Sequence, residues 1–485
     1  MPAIDPNQSH LVQPKPISEK PGSETPDEKI AVPHVEGESK LIKKIVPILL
    51  IILIIIGISF AIFRFVLPRL SQKSGIGGKK EATLTYWGLW EPEAVMSEIL
   101  TDWAQEHPEI KINYVFQSPK EYRERLQSVL ARGEGPDIFR FHITWTPMFK
   151  NELEPVPSSV MSASQFENSF YPVAATTLRL GSNFLGVPLM MDTLALFYNE
   201  SLFQAAGKSP PKTWEELRQL ATDLTVKDEN GRIVVAGAAL GVTGNVDHWS
   251  DILGLMMLQN GADLSDPAAC QRQGDEEICL GVDALSFFTI FSQTDRVWDE
   301  TMPSSTTAFA TEKLAMYFGP SWRVFNIKEV NPQLNFKIAP APQLSGTEIT
   351  WASFWAEGVN KSSQHKKEAW EFLKFLSSQE TMEKLYQTAS KTRLFGELYS
   401  RVEMAPLLNQ NALAKPFLDQ APKAQTWYLC SRTHDNGLND RMIKYFEDAV
   451  NAVNQGRSAK EALKTVSNGV SQLLSQYGIA TSIVR

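Results

Sequence analysis

Aromatic side chains set beside carboxylates and other polar groups are the chemistry-bearing pattern of this chain. Trp90 and Glu91 follow one extended run, while Phe141, His142 and Trp145 follow another. His248 and Trp249 fall in a polar loop, and Trp322, Trp351, Trp355 and Trp427 lie in strand or loop contexts. Pyranose rings present flat C–H patches that stack on indole and phenyl faces, and their hydroxyls need planar donors and acceptors; the pattern therefore suits a sugar. Simpler roles compete at each position. Trp90 and Glu91 could be a strand cap and a surface charge, His142 a satisfied surface histidine, and Phe141, Trp145, Trp351, Trp355 and Trp427 core. Trp103, Trp214 and Trp370 recur at helical spacing with other apolar residues and are assigned to the core. No nucleophile elbow, zinc-binding His pair or metal-type Cys/His spacing occurs, so neither catalysis, a metal nor a cofactor is expected.

The elements that would carry these residues alternate in period. Thr83–Trp87 reads as a strand, Val95, Ile99, Leu100 and Trp103 as one helical face, residues 111–116 as a second strand, and Tyr122, Leu126, Val129 and Leu130 as a second helix that Gly133 can end. Asp137–Phe139 opens a third strand. Strands separated by helices need crossover connections, which predicts a parallel, doubly wound α/β sheet whose carboxyl ends face a ligand. Thr213-Trp214-Glu215-Glu216 is a capping box ahead of another amphipathic helix. Strands at Leu314–Phe318 and Phe336–Ala339, a helix around Trp370 and a helical tail from Asp440 follow. Roughly four hundred residues exceed one core, so two lobes are expected.

The net charge of −8 over 485 residues, with acids and bases mixed, leaves no basic stripe for nucleic acid. Cys270 and Cys279 bracket a short polar loop of the kind a disulfide closes outside the cell, a bridge worth about 3 kcal/mol; reduced surface thiols are the alternative, and Cys430 is left over. Residues 45–63 are uncharged and almost wholly apolar. As a helix they would rise about 28 Å, matching a hydrocarbon core of about 30 Å. The roughly forty-four residues before them, and Pro68-Arg69 where a small-residue cleavage site would lie, favour an uncleaved anchor over a signal peptide. Lys40, Lys43 and Lys44 on one side and Arg64, Arg69, Lys73, Lys79 and Lys80 on the other give no charge asymmetry to set the orientation. The expected order is a disordered cytoplasmic head (1–40), a transmembrane helix (41–67), a flexible linker (68–81) and a globular domain (82–480).

Within that domain, Gly135-Pro136-Asp137-Ile138-Phe139, Gly186-Val187-Pro188, Leu196-Phe197-Tyr198-Asn199, Pro211-Lys212-Thr213-Trp214-Glu215-Glu216-Leu217, Asn260-Gly261-Ala262, Met316-Tyr317-Phe318-Gly319-Pro320 and Trp370-Glu371-Phe372-Leu373 occur in an order that resembles the family 1 extracellular solute-binding proteins, the maltose-binding-protein-like components of ABC transporters. The resemblance covers roughly residues 82–480. It implies a two-lobe periplasmic-binding-protein-like fold of type II, with lobe 1 at 82–189 and 338–391 and lobe 2 at 193–333 and 395–480. It also implies a ligand cleft between the lobes and an ABC permease as partner. A monomer is expected, held at the cell membrane by one helix with the domain outside. By the same resemblance Phe141 falls where a sugar-stacking aromatic often sits, Asp192 at a position that contacts ligand from the hinge side, and Trp322 in a Gly-Pro-Trp neighbourhood with one residue inserted. Two departures stand out: the anchor is a helix rather than a lipid, and Tyr428–Asn436 does not align with the family pattern. The competing uses are a surface glycosidase, since aromatic clefts with paired carboxylates also cleave glycosides, and a single-span sensor or scavenger ectodomain.

Overall fold

The computed structural model describes residues 81–479 apart from 345 and 347. The expected head, transmembrane helix and nearly all of the linker lie outside the described residues. Among the described residues no helix is long and apolar enough to cross a membrane.

Two sheets organise the described chain. The first is built on Ala82–Gly88, whose alternating burial marks a strand with one face inward. It pairs in parallel with Ile110–Phe116 on one side and Ile138–His142 on the other. The amphipathic helices Glu93–Glu106 and Tyr122–Ala131 make the crossovers that parallel pairing requires. Gly133, with φ +71°, follows the second helix, and its N–H bonds back to the Leu130 carbonyl. The second sheet runs in the order Phe336–Ala339, Ala195–Asn199, Leu314–Gly319, Ile233–Ala238, Val226–Lys227.

The sheets are mixed rather than wholly parallel. Trp355–Asn360 arrives late in the chain and enters the first sheet antiparallel to Ile138–His142, Leu153–Glu154 and Val187–Pro188. In the second sheet Ala195–Asn199 is antiparallel to both neighbours. Each of these strands enters from the other half of the molecule, so no local crossover helix dictates its direction.

The chain leaves the first sheet after Pro188 and joins the second at Ala195; it leaves the second after Ala339 and returns to the first at Trp355. The strand Phe336–Ala339 pairs along its whole length with Ala195–Asn199. The return crossing therefore follows residue 339 rather than lying at 333–338. The two crossings touch where Thr193 bridges Ala352. The C-terminal helices Leu438–Asn454 and Ala459–Gln476 pack on each other and on Leu280–Gln293. Cys270 and Cys279 are disulfide-bonded across the hairpin formed by Gln271–Gln273 and Glu276–Ile278.

Candidate ligand-binding site

A cavity of about 440 Å³ opens where the carboxyl ends of first-sheet strands, the two crossings and the start of the segment 431–434 converge. Trp90 supplies one wall. It follows the strand Ala82–Gly88 with a left-handed backbone, φ +73°, which a bulky residue adopts only when its surroundings hold it there. The buried Arg140 guanidinium does the holding: it donates to the Leu89 carbonyl on one side of Trp90 and to the Glu91 carboxylate on the other. The Tyr114 hydroxyl donates to the Glu91 carbonyl at 2.7 Å. Arg140 Nε also donates to Glu357 Oε1 at 2.5 Å, and the Tyr86 hydroxyl reaches the same oxygen at 3.0 Å. Two buried carboxylates thus share one guanidinium. Burial pushes the Glu91 carboxyl up to about 7 against the attraction of Arg140, and raises Glu357 as well.

With its backbone fixed, the Trp90 ring stays 37% exposed and meets Trp355 edge to face, with centroids 5.7 Å apart. Trp355 is braced from behind by Trp145 at 5.1 Å and by His142 at 5.2 Å. His142 accepts from the Thr144 backbone N–H, and its ring nitrogens lie 2.7 Å from Thr144 Oγ1 and 3.1 Å from Ser353 Oγ. Burial drives its pKa down to about 3, so the ring is neutral.

The second half of the chain contributes Trp322 to the wall, 38% exposed, at the start of the helix Arg323–Val330. The Arg323 guanidinium lies 4.3 Å from its ring centroid and the His248 ring meets it edge-on at 5.6 Å. Arg323 Nε donates to His248 Nε2 at 2.9 Å, which assigns the proton of a neutral ring to Nδ1, 2.7 Å from Ser431 Oγ. Burial lowers the His248 pKa in keeping with that assignment. Behind them, burial acts to raise the Asp247 carboxyl, but the Arg323 charge and hydrogen bonds from Thr306 outweigh it and hold it at about 2. Asp251 accepts from Trp351 Nε1 at 2.8 Å and from the Ser431 N–H.

Asp192 joins the crossing to the second sheet. Its carboxylate accepts from the Thr193 N–H at 2.8 Å, the Ser321 N–H at 3.0 Å and the Ser321 hydroxyl at 2.8 Å. Desolvation nevertheless pushes its pKa up to about 7.

Of the residues singled out in the sequence, Trp90, His142, Asp192, His248, Trp322, Trp351 and Trp355 line this cavity. Five do not. Glu91 is 3% exposed and turned inward onto Arg140. Phe141 is fully buried, because its ring fills space that Gly186 and Gly358 leave open: a Cβ on either would come within about 3.0 Å of it. Trp145 is buried behind Trp355 and supports the site without facing it. Trp249 begins the helix Trp249–Gln259 and is buried, while its neighbour His248 reaches the wall. Trp427 packs on Tyr428 and Phe446.

Sequence reasoning missed Arg323, Asp251, Arg393, Glu397 and the run Ser431–His434, all on the wall. Their only signal was negative, in that the last run fell inside the stretch that fits no family pattern. Among the described residues the one His, Cys, Asp or Glu grouping tight enough for a metal is Cys270, Glu277 and Cys279, and the disulfide occupies both sulfurs.

A model of the bacterial extracellular solute-binding proteins matches residues 89–383, more than half of the chain. The chain belongs to that family. Among curated relatives, this solute-binding protein is 23% identical over 323 residues to the multiple sugar-binding protein of Streptococcus mutans, covering 65% of this chain and 76% of that one. It is 24% identical over 333 residues to a probable amino-acid ABC transporter periplasmic-binding protein of Sinorhizobium fredii, covering 64% and 72%. Among solved structures, the sugar-binding protein MalE of Xanthomonas citri superposes with a TM-score of 0.65 at 21% identity, covering 81% of this chain and 98% of that one. A cyclo/maltodextrin-binding protein complexed with maltotetraose gives 0.64 at 18% identity, covering 82% and 98%. These structures share the two-lobe α/β fold of periplasmic binding proteins.

Proposed function

We propose that this solute-binding protein captures a carbohydrate, a mono- or oligosaccharide, in the cavity between its two sheets and delivers it to an ABC import permease. The observation that carries the reading is the pair of partly exposed indoles on the cavity wall, Trp90 and Trp322, one from each half of the chain, beside guanidiniums that are each paired with a carboxylate. Asp247 faces Arg323 and Arg432, and Arg393 pairs with Glu397 at 2.6 Å. Such a wall stacks on an uncharged ring and hydrogen-bonds its hydroxyls without leaving a buried charge unpaired. The sugar-binding relatives support the same choice of ligand class.

In this reading lobe 1 comprises 82–189 with the segment that follows the return crossing, lobe 2 comprises 193–339 with the C-terminal helices, and closure is a hinge motion about the paired crossings. Residues 45–63 anchor the protein as one transmembrane helix with the domain extracytoplasmic, below a disordered cytoplasmic head, and the protein acts as a monomer. A short tether keeps the domain near its permease and raises their effective concentration.

Calorimetric titration of a saccharide panel tests the proposal. At least one neutral sugar is expected to bind, and Trp322→Ala is expected to weaken it about tenfold or more, as loss of an aromatic anchor does. Absence of binding across the panel, or unchanged affinity in the variant, refutes it.

A further inference from the structure

The segment Ser431–Asn436 lies beyond the residues matched by the family model, yet four of its members, Ser431, Arg432, Thr433 and His434, line the cavity. It is an arch pinned at both ends. At its start the Ser431 N–H donates to Asp251 at 3.2 Å, and Arg432 donates to Asp247. At its end Asn436 Nδ2 donates to Glu124 Oε1 at 2.5 Å, on a helix of the first half. Just beyond it, Asn439 Nδ2 donates to Thr144 Oγ1 at 2.7 Å.

Between the pins the backbone is left-handed at alternate residues, with φ +64° at Arg432, +49° at His434 and +42° at Asn436. None of the three is glycine; histidine and asparagine tolerate this region, whereas Arg432 adopts it only where its surroundings hold it there. One result is that the backbone N–H groups of Arg432, Thr433, His434 and Asp435 carry no hydrogen bond to any described residue. Another is that Thr433, 4% exposed and on the cavity wall, has a buried hydroxyl without a partner. A buried orphan hydroxyl beside a run of free donors is what a site looks like when its remaining partner is the ligand.

We propose that this arch contacts the ligand and determines specificity, with Thr433 Oγ1 and the free N–H groups of Arg432, Thr433 and His434, which line the cavity, reading the hydroxyl oxygens of an uncharged saccharide. The inference rests on the sugar-capture reading and adds to it the absence of charge on the ligand. Left-handed runs of free N–H groups can also cradle anions, but the charges here argue against one. Asp247, Asp251, Asp435 and Asp440 surround the arch, and of the three guanidiniums on the cavity wall Arg323 and Arg432 pair with Asp247 and Arg393 with Glu397. A phosphate or carboxylate would meet these carboxylates against guanidiniums that, among the described residues, already pair with Asp247 or Glu397, whereas a hydroxyl oxygen accepts the same hydrogen bonds without repulsion.

The test titrates the full chain, Thr433→Val and Thr433→Ser with neutral saccharides and with the uronate and sugar-phosphate counterparts of whichever neutral saccharide binds, and records ligand-free melting alongside. The expected result is that the wild type prefers the neutral form, that Thr433→Val loses about fivefold to tenfold in affinity, the worth of one neutral hydrogen bond, that Thr433→Ser restores it, and that ligand-free melting of Thr433→Val is equal to or higher than that of the wild type, since the variant removes a buried hydroxyl that has no partner. Unchanged affinity for the neutral sugar in Thr433→Val overturns the arch assignment and leaves the sugar reading standing. Tighter binding of the charged counterpart overturns the uncharged-ligand claim, and failure of the wild type to bind any saccharide overturns the arch and the sugar reading together.

Discussion

Asp192 sits where two influences oppose each other: three hydrogen bonds from Ser321 and Thr193 favour its charged form, and desolvation at the cavity wall favours the neutral one. Desolvation prevails, and the carboxyl titrates near 7 in the folded protein against an ordinary value of 3.8. A folded state that keeps a proton longer than the unfolded chain is stabilised by acid. The contribution is complete below about pH 4 and is lost as the pH rises through 7. Denaturant melts of the wild type and Asp192→Asn between pH 4 and pH 8 should therefore differ in slope. The wild type is expected to lose more stability over that range than the variant, and parallel profiles would refute the assignment. At this scale the sequence was legible where a side chain's exposure follows from its place at a strand end, as for Trp90, or just after a Gly-Pro turn, as for Trp322. It was misleading inside strands. Phe141 lies within Ile138–His142, every residue of which is buried, so both faces of that strand are core and alternation carries no information. Glu91 read as exposed because its partner Arg140 lies 49 positions along the chain, a pairing that only the folded sheet creates.

Local signals served better for elements than for single side chains, because helices and their caps are specified by neighbours in the chain. The helix Trp214–Leu224 shows the expected capping box in full: Thr213 Oγ1 accepts from the Glu216 N–H at 3.2 Å, and Glu216 reaches back to the N–H groups of Thr213 and Lys212. Its inward face buries Trp214, Leu217, Leu220, Ala221 and Leu224, with Trp214 Nε1 donating to Gln259 at 2.6 Å. Thr213→Ala removes the cap acceptor and is expected to lower stability by about 1 kcal/mol, read as a shift in urea midpoint with unchanged slope. Ligand affinity should stay at the wild-type value, since the helix does not line the cavity. Five strands were legible in place, but Ala195–Asn199, Ile233–Ala238 and Trp355–Asn360 were not, and neither was strand direction. Ala82–Gly88, Ile110–Phe116 and Ile138–His142 are parallel because helices join them, whereas Trp355–Asn360 is placed by a long-range return whose direction no local residue encodes. The arch at 431–436 is the extreme case. Its left-handed residues are arginine, histidine and asparagine rather than glycine, and although histidine and asparagine tolerate that region, their presence alone does not announce the shape.

For the whole molecule, the consequence of a site assembled from both halves is that ligand and stability are linked. The cavity walls come from the end of the first sheet, from the crossings near Asp192 and Trp351, from Trp322 and from the arch. Separating the halves therefore dismantles the site, and a solute that binds it favours the folded state alone. At a free concentration 100 times the dissociation constant, mass action adds about 2.7 kcal/mol to the unfolding free energy. For a domain of this size that raises the melting temperature by a few degrees. Because the walls are drawn entirely from residues 90–434, a protein beginning at residue 81 should show the same ligand-induced rise as the full chain. Differential scanning calorimetry of both forms with and without the bound sugar measures this directly. Equal shifts assign recognition to the two-sheet domain. A shift confined to the full chain would place part of the binding energy in residues 1–80 and refute the division of labour proposed here.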